Sequence, residues 1–188
     1  MTDVVGQDDV LARWAYTEVL SNEHGASYRN AGVPAELAEK AGRAVPFDQL
    51  DQDERRSLLS GWRAVRGVEA VTDLLQDIST FELKQWKRSD LAAVLVLRFF
   101  LRDVMSDSLV HRLRLPFDIW INAEPVRPLH QSHPRYAANR PGASQVDPLT
   151  VGRYADGALV LLDGYHRAAA FWSRTDPNAQ LLVYVPTP

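Results

Sequence analysis

The segment Leu161-Leu162-Asp163-Gly164-Tyr165-His166-Arg167, followed by Ala168 to Ala170, concentrates groups able to bind a ligand or move a proton. The apolar run Ala158 to Leu162 has the pattern of a buried strand. It ends in a carboxylate and a glycine, and an alanine-rich helix follows at once. The first N–H groups of such a helix have no partner within it and stand at the positive end of its dipole. Gly164 allows close approach to the backbone, and His166 and Arg167 add side-chain donors in the same place. Together these are means of binding phosphate. Asp163 stands at the same mouth, where a carboxylate can hold Mg2+ or orient a hydroxyl nucleophile. An ordinary strand–turn–helix, with Asp163 as cap and Arg167 paired to a surface acid, would use the same residues. The five-residue combination between a buried strand and an alanine-rich helix favours the binding site.

Among 188 residues there is no cysteine. That excludes a disulfide framework, Cys-ligated zinc or iron–sulfur sites, and thiol nucleophiles, so catalysis must run on His, Asp, Glu, hydroxyls or a cofactor. With 46% apolar and 24% charged residues, the chain has the composition of a globular protein of one compact domain or two small ones. The N-terminus lacks the pattern of a secretory signal, and the longest apolar run, Leu91 to Leu97, is too short to span a bilayer. A soluble, cytoplasmic protein is the resulting expectation. The net charge of −3 is unevenly spread: residues 1–97 carry 11 basic and 16 acidic side chains, residues 98–188 carry 10 and 8. All ten of the latter bases are arginine, the better bidentate partner of phosphate and carboxylate. High arginine use throughout, 18 against 3 lysines, describes the same fact without a function.

Asp-Gly-Tyr-His-Arg-Ala-Ala-Ala after an apolar strand resembles the phosphate-binding signature of the ParB/sulfiredoxin superfamily. In that superfamily sulfiredoxins carry Gly-Cys-His-Arg and free-serine kinases carry Asp-Gly-His-His-Arg. Upstream, Val126-Arg127-Pro128-Leu129 is similar to the Ile-Arg-Pro-Leu strand end of sulfiredoxins. The resemblance covers about 115–188. For that part it implies a nucleotide-binding domain, 108–188. The first hundred residues carry no such resemblance, and their periodicity makes 1–107 a helical region, cap or separate subdomain. The expected fold is α+β, a helical N-terminal half packed on a small mixed sheet.

Two departures select among the relatives. Tyr165 stands where sulfiredoxins have the reactive cysteine, which removes sulfinic-acid reduction by that route. The signature also differs from the Arg-rich box of ParB partition proteins, and no helix-turn-helix follows before Pro188. The resemblance therefore implies the small-molecule kinase branch: a phosphotransferase using ATP or ADP with Mg2+ on a small hydroxylated acceptor such as an amino acid. Gly164, Tyr165, His166 and Arg167 would clamp phosphate with help from Arg127, and Asp163 would serve Mg2+ or the acceptor hydroxyl. The catalytic base of that branch is a glutamate two residues after a proline; His130, after Pro128-Leu129, stands there instead. Histidine can act as a base at neutral pH, and Glu124 is the alternative carboxylate. Loss of the glutamate favours the alternative, a nucleotide-sensing or partner-binding module without transfer chemistry; a third reading is a pocket recruited to other biosynthetic chemistry.

Weaker signals point elsewhere. His130 and His133 have a metal-like spacing, but Pro134 opposes a helix there. The five tryptophans read as core and packing residues, and Arg127, Arg135, Arg140 and Arg153 as a rim of the site more than a nucleic-acid stripe.

The elements that must position these residues follow from periodicity and punctuation. Asp8 or Asp9 is expected to cap a helix through Leu20, and Pro34 to open another. Leu58 to Ile78 has helical spacing interrupted at Gly67, Ser79 to Glu82 reads as a capping box, and Asp90 as the cap of an apolar helix, Leu91 to Met105. Pro116 to Asn122 reads as extended, and Pro128 to Pro148 as a long loop. Leu149 to Val151 and Ala158 to Leu162 read as strands joined through an Asp156-Gly157 turn, with a last strand at Leu181 to Val185.

Overall fold

The computed structural model describes residues 3–21, 24–67, 71–97, 114–123, 147–173, 176 and 178–188. These form two compact units, 3–81 with 187–188 and 82–186. The boundary expected at 107/108 lies outside the described residues.

In the first unit, strand β1 (Val4–Gly6) leads into helices α1 (Gln7–Glu18), α2 (Gly25–Asn30) and α3 (Ala35–Gly42). A 3-10 turn (Phe47–Gln49) then precedes α4 (Gln52–Arg66). Gly6, not Asp8 or Asp9, is the N-cap of α1, and both aspartates fall in the first turn, where they face the positive end of the dipole. Val10, Leu11, Trp14 and Val19 are buried as their spacing requires, whereas Leu20 is exposed. A capping box starts α4: Asp51 Oδ1 accepts from Glu54 N at 2.9 Å, and Glu54 Oε2 accepts from Asp51 N at 3.1 Å. Gly67 ends α4, and residues 71–77 form successive turns instead of resuming the helix. Val71, Leu75 and Ile78 are nevertheless buried.

Strand β2 (Thr80–Trp86) carries the chain into the second unit. The expected capping box at Ser79 to Glu82 is therefore strand, because Phe81, fully buried, satisfies the core in extended form. There follow α5 (Arg88–Ala92), β3 (Leu95–Val96), α6 (Phe117–Asn122), β4 (Leu149–Arg153), β5 (Leu159–Asp163), α7 (Tyr165–Trp172) and β6 (Leu181–Pro186). The helix expected from Leu91 to Met105 is cut short at Ala92, and 98–105 lie outside the described residues. Asp90 sits inside α5 and accepts from Lys87 N at 2.7 Å. An apolar run suits a buried strand as well as a helix, and here Leu95 and Val96 pair in parallel with Val160 and Leu161. Of the stretch expected to be extended, Pro116 is so and bridges Leu95 in antiparallel fashion, whereas Phe117 to Asn122 is a helix. Phe117, Trp120 and Ile121 occupy buried positions spaced three and four apart, and that spacing outweighs their β propensity.

The fold is α+β: a six-stranded mixed sheet of order β1-β2-β6-β4-β5-β3, with seven α-helices among the described residues. β5 runs antiparallel to β4 and parallel to β3, and β4 runs parallel to β6. The β4–β5 hairpin closes as expected. Gly157 takes φ of +87°, Tyr154 N donates to Ala158 O at 2.9 Å, and Gly157 N donates to Tyr154 O at 2.8 Å. The core of this unit gathers Leu91, Val96, Phe117, Trp120, Leu149 and Leu161 with Tyr165 and Ala168 to Phe171 of α7. No described helix is long and apolar enough to cross a membrane.

Candidate functional site

Asp163 ends β5 opposite Thr150 of β4, and the chain turns into α7 through Gly164. Gly164 is left-handed, with φ 95° and ψ 25°, a conformation that glycine adopts without the penalty a Cβ imposes. Space reinforces the choice. A Cβ there would collide with the Leu149 side chain and lie 2.9 Å from Arg167 Nη2 and 3.1 Å from its Nε. The guanidinium therefore lies directly against the glycine. Ala168 N donates to Gly164 O at 2.8 Å, which starts the helix.

Arg167 turns back across that glycine. Its Nη2 donates to Asp163 Oδ2 at 2.6 Å and to the Pro148 carbonyl at 3.3 Å. The two side chains are 13% and 17% exposed, so the pair is shielded from solvent screening far more than a surface ion pair. Arg167 Nε is buried and has no hydrogen-bond partner among the described residues. Buried donors are normally satisfied; this one is packed against Gly164, 3.1 Å from where a Cβ would stand. His166 is half-buried in the first turn of the same helix.

Tyr165 is placed differently from the expectation that it joins the clamp. Its ring is buried, edge-on to Trp120 with centroids 5.5 Å apart. Its hydroxyl donates to Leu161 O at 2.7 Å and accepts from Leu97 N at 2.8 Å. Burial raises the phenol well above its usual range, and the nearby Tyr154 and Asp163 add to that against the Leu97 N–H. What Tyr165 offers at the mouth of the turn is its backbone, and its side chain serves the core.

The structure thus brings Asp163, Gly164 and Arg167 into contact, with His166 on the first turn of the same helix. Glu124, Arg127 and His130 lie outside the described residues, as do His133, Arg135 and Arg140. Arg153, expected at the rim, donates to Pro186 O at 2.7 Å. Trp14, Trp62, Trp86 and Trp120 are buried, as core residues should be. Two participants escaped sequence reasoning, the Pro148 carbonyl and the Leu97 N–H. A backbone group carries no sequence signal, because almost every residue has the same one.

The carboxylate expected to serve Mg2+ is engaged by Arg167, and no group of three or more His, Asp or Glu among the described residues is arranged to hold a metal. The described residues therefore do not fit a metal held by the protein at this turn. What they hold at this turn is an arginine packed against a left-handed glycine, its Nε buried and without a hydrogen-bond partner among the described residues.

A groove of about 600 Å³ occurs in the other unit, between Asp8 and Asp9 of α1 and Gln52, Arg55 and Arg56 of α4. Its charges are largely spent within the protein. Asp8 pairs with Arg63 at 2.9 Å, Arg56 with Asp53 at 2.7 Å, and Arg55 donates to the carbonyls of Leu50 and Asp48. None of the residues expected to act lines it. Comparison with family models, curated proteins and solved structures returns no match to this chain.

Proposed function

We propose that this chain is a nucleotide-binding protein of the ParB/sulfiredoxin type that transfers a phosphoryl group from ATP or ADP to a small hydroxylated metabolite such as an amino acid. The observation that carries the reading is Arg167, laid across a left-handed Gly164 at a strand-to-helix turn with a buried, unpartnered Nε. Phosphoryl transfer asks little covalent chemistry of a protein; it asks for phosphate clamps and an oriented acceptor. In this reading the nucleotide phosphate rests on Gly164, His166 and Arg167, with Arg127 as a further donor. The acceptor oxygen attacks the terminal phosphorus, the bond to the leaving nucleotide breaks, and the acceptor proton passes to His130, or to Glu124 if His130 is not the base. Mg2+ would be carried by the nucleotide phosphates and not by Asp163, and would supply charge neutralisation there. Localisation in the cytoplasm belongs to the same proposal.

The test is titration of ADP and ATP into the wild-type protein and Arg167→Ala, followed by a search for phosphorylated product across a panel of hydroxylated metabolites. Arg167→Ala is expected to lose about ten- to a hundredfold in affinity, the worth of a charged hydrogen bond to phosphate. Undiminished binding would sink the clamp. The presence of His130 at the glutamate position favours a second reading, a module that binds nucleotide without transferring phosphate. Tight binding with no product from any acceptor selects it.

A further inference from the structure

We infer that Asp163 is a positioning residue, acting on phosphate through Arg167 and not by holding the metal or the acceptor itself. The inference rests on the reading of the β5–α7 turn as the phosphate site, and it departs from the role that the signature implies for this carboxylate. An arginine side chain has many rotamers and a planar fork of donors, so it clamps well only when something holds the plane. Three neighbours hold it here. Asp163 Oδ2 and the Pro148 carbonyl both accept from Nη2, and the Gly164 backbone lies against Nη2 and Nε where any side chain would intrude. Asp163 and Arg167 are four residues apart on either side of the glycine, so the ion pair spans the N-terminus of α7. The result is a guanidinium with one nitrogen anchored and Nε buried and unpartnered. A carboxylate committed in this way has a task already, and ligating a cation would require Arg167 to let go of that oxygen.

A double-mutant cycle on ADP affinity tests this, read by calorimetry once in EDTA and once in excess Mg2+, with Asp163→Asn, Arg167→Ala and the double variant. Asp163→Asn is expected to weaken ADP about tenfold in both buffers, because a charge-assisted hydrogen bond that fixes the clamp is lost. The double variant is expected to bind no worse than Arg167→Ala alone, since the carboxylate acts only through the guanidinium. A loss confined to Mg2+ would make Asp163 a metal ligand and overturn the inference. Unchanged or tighter binding by Asp163→Asn would overturn it too, as would effects that add in the double variant, the pattern of a purely structural contribution. If wild type and Arg167→Ala are indistinguishable, the phosphate reading itself fails, and the inference with it. Near-UV circular dichroism verifies the fold of each variant. Should Asp163→Asn not fold, Asp163→Glu, which keeps the charge and shifts it by one methylene, takes its place in the cycle.

Discussion

Tyr165 shows how one residue can keep a signature's place while changing its service. Its hydroxyl is a bridge between Leu161 O on β5 and Leu97 N at the end of β3, and thus extends the short β3–β5 pairing by a side-chain link. Removal of the hydroxyl leaves a buried carbonyl and an N–H without that partner, at a cost of about 1–3 kcal/mol. Tyr165→Phe is therefore expected to lower the midpoint of urea unfolding while leaving ADP affinity as it was. Normal stability with lost ADP binding would instead put the phenol against the ligand. The sequence could signal that Tyr165 excludes thiol chemistry, because that follows from the residue type alone. Where the ring points depends on Trp120 and Leu97, which are remote in the chain.

At the scale of elements, α1 and α4 are joined by two contacts one helical turn apart. Trp14 meets Trp62 with ring centroids at 5.5 Å, and Glu18 meets Arg66. Tyr28 of α2 completes the second contact by donating to Glu18 Oε2 at 2.8 Å. Burial pushes the Glu18 carboxyl up, but hydrogen bonds from Arg66 and Tyr28, with the charges of Arg66 and His24, outweigh it and hold the group below its ordinary value of 4.5. The unfolded chain therefore takes up the proton first as pH falls. The stabilisation by Glu18 is complete above 4.5 and is lost as pH drops through the lower folded value. Glu18→Gln is expected to remove that component, which flattens the acid limb of a plot of urea midpoint against pH; an unchanged limb counts against it. Arg66→Ala, which leaves the buried carboxylate without its cation, is expected to cost about 3–5 kcal/mol at neutral pH by the same measurement. The place of Trp14 and Trp62 on helical segments was visible in sequence, whereas the Glu18–Arg66 pair was not. Nor was it visible which helix met which, because i,i+4 periodicity identifies a face and leaves its partner open.

For the molecule as a whole, a ligand that binds only the native state must raise apparent stability. ADP at a hundred times its dissociation constant is expected to add about 2.7 kcal/mol. For a chain of this size that is a rise of roughly 5–10 °C in the thermal transition. The same ADP concentration should stabilise Arg167→Ala by only about 0.4–1.4 kcal/mol, because an affinity about ten- to a hundredfold weaker leaves it at roughly one to ten times its own dissociation constant. Followed by differential scanning fluorimetry, its shift should be about half that of the wild type or less. An equal shift in both would place nucleotide somewhere other than this turn. The composition that opened the question, an arginine-only half from 98 to 188, contains that turn. By itself the sequence determined what local chemistry determines: the exclusion of thiol reactions, the β4–β5 hairpin through Asp156-Gly157, the strand into Gly164, and the helix that begins at Tyr165. Tertiary structure decided what depends on distant partners. Leu95 and Val96 became strand because Val160 and Leu161 were there to pair with them, and Phe117 to Ile121 became helix because one face could be buried. The Asp163 carboxylate met Arg167 because Gly164 and Pro148 left the guanidinium that one place to lie. Propensity is a weak local term, and burial and pairing across the chain outweigh it wherever the two disagree.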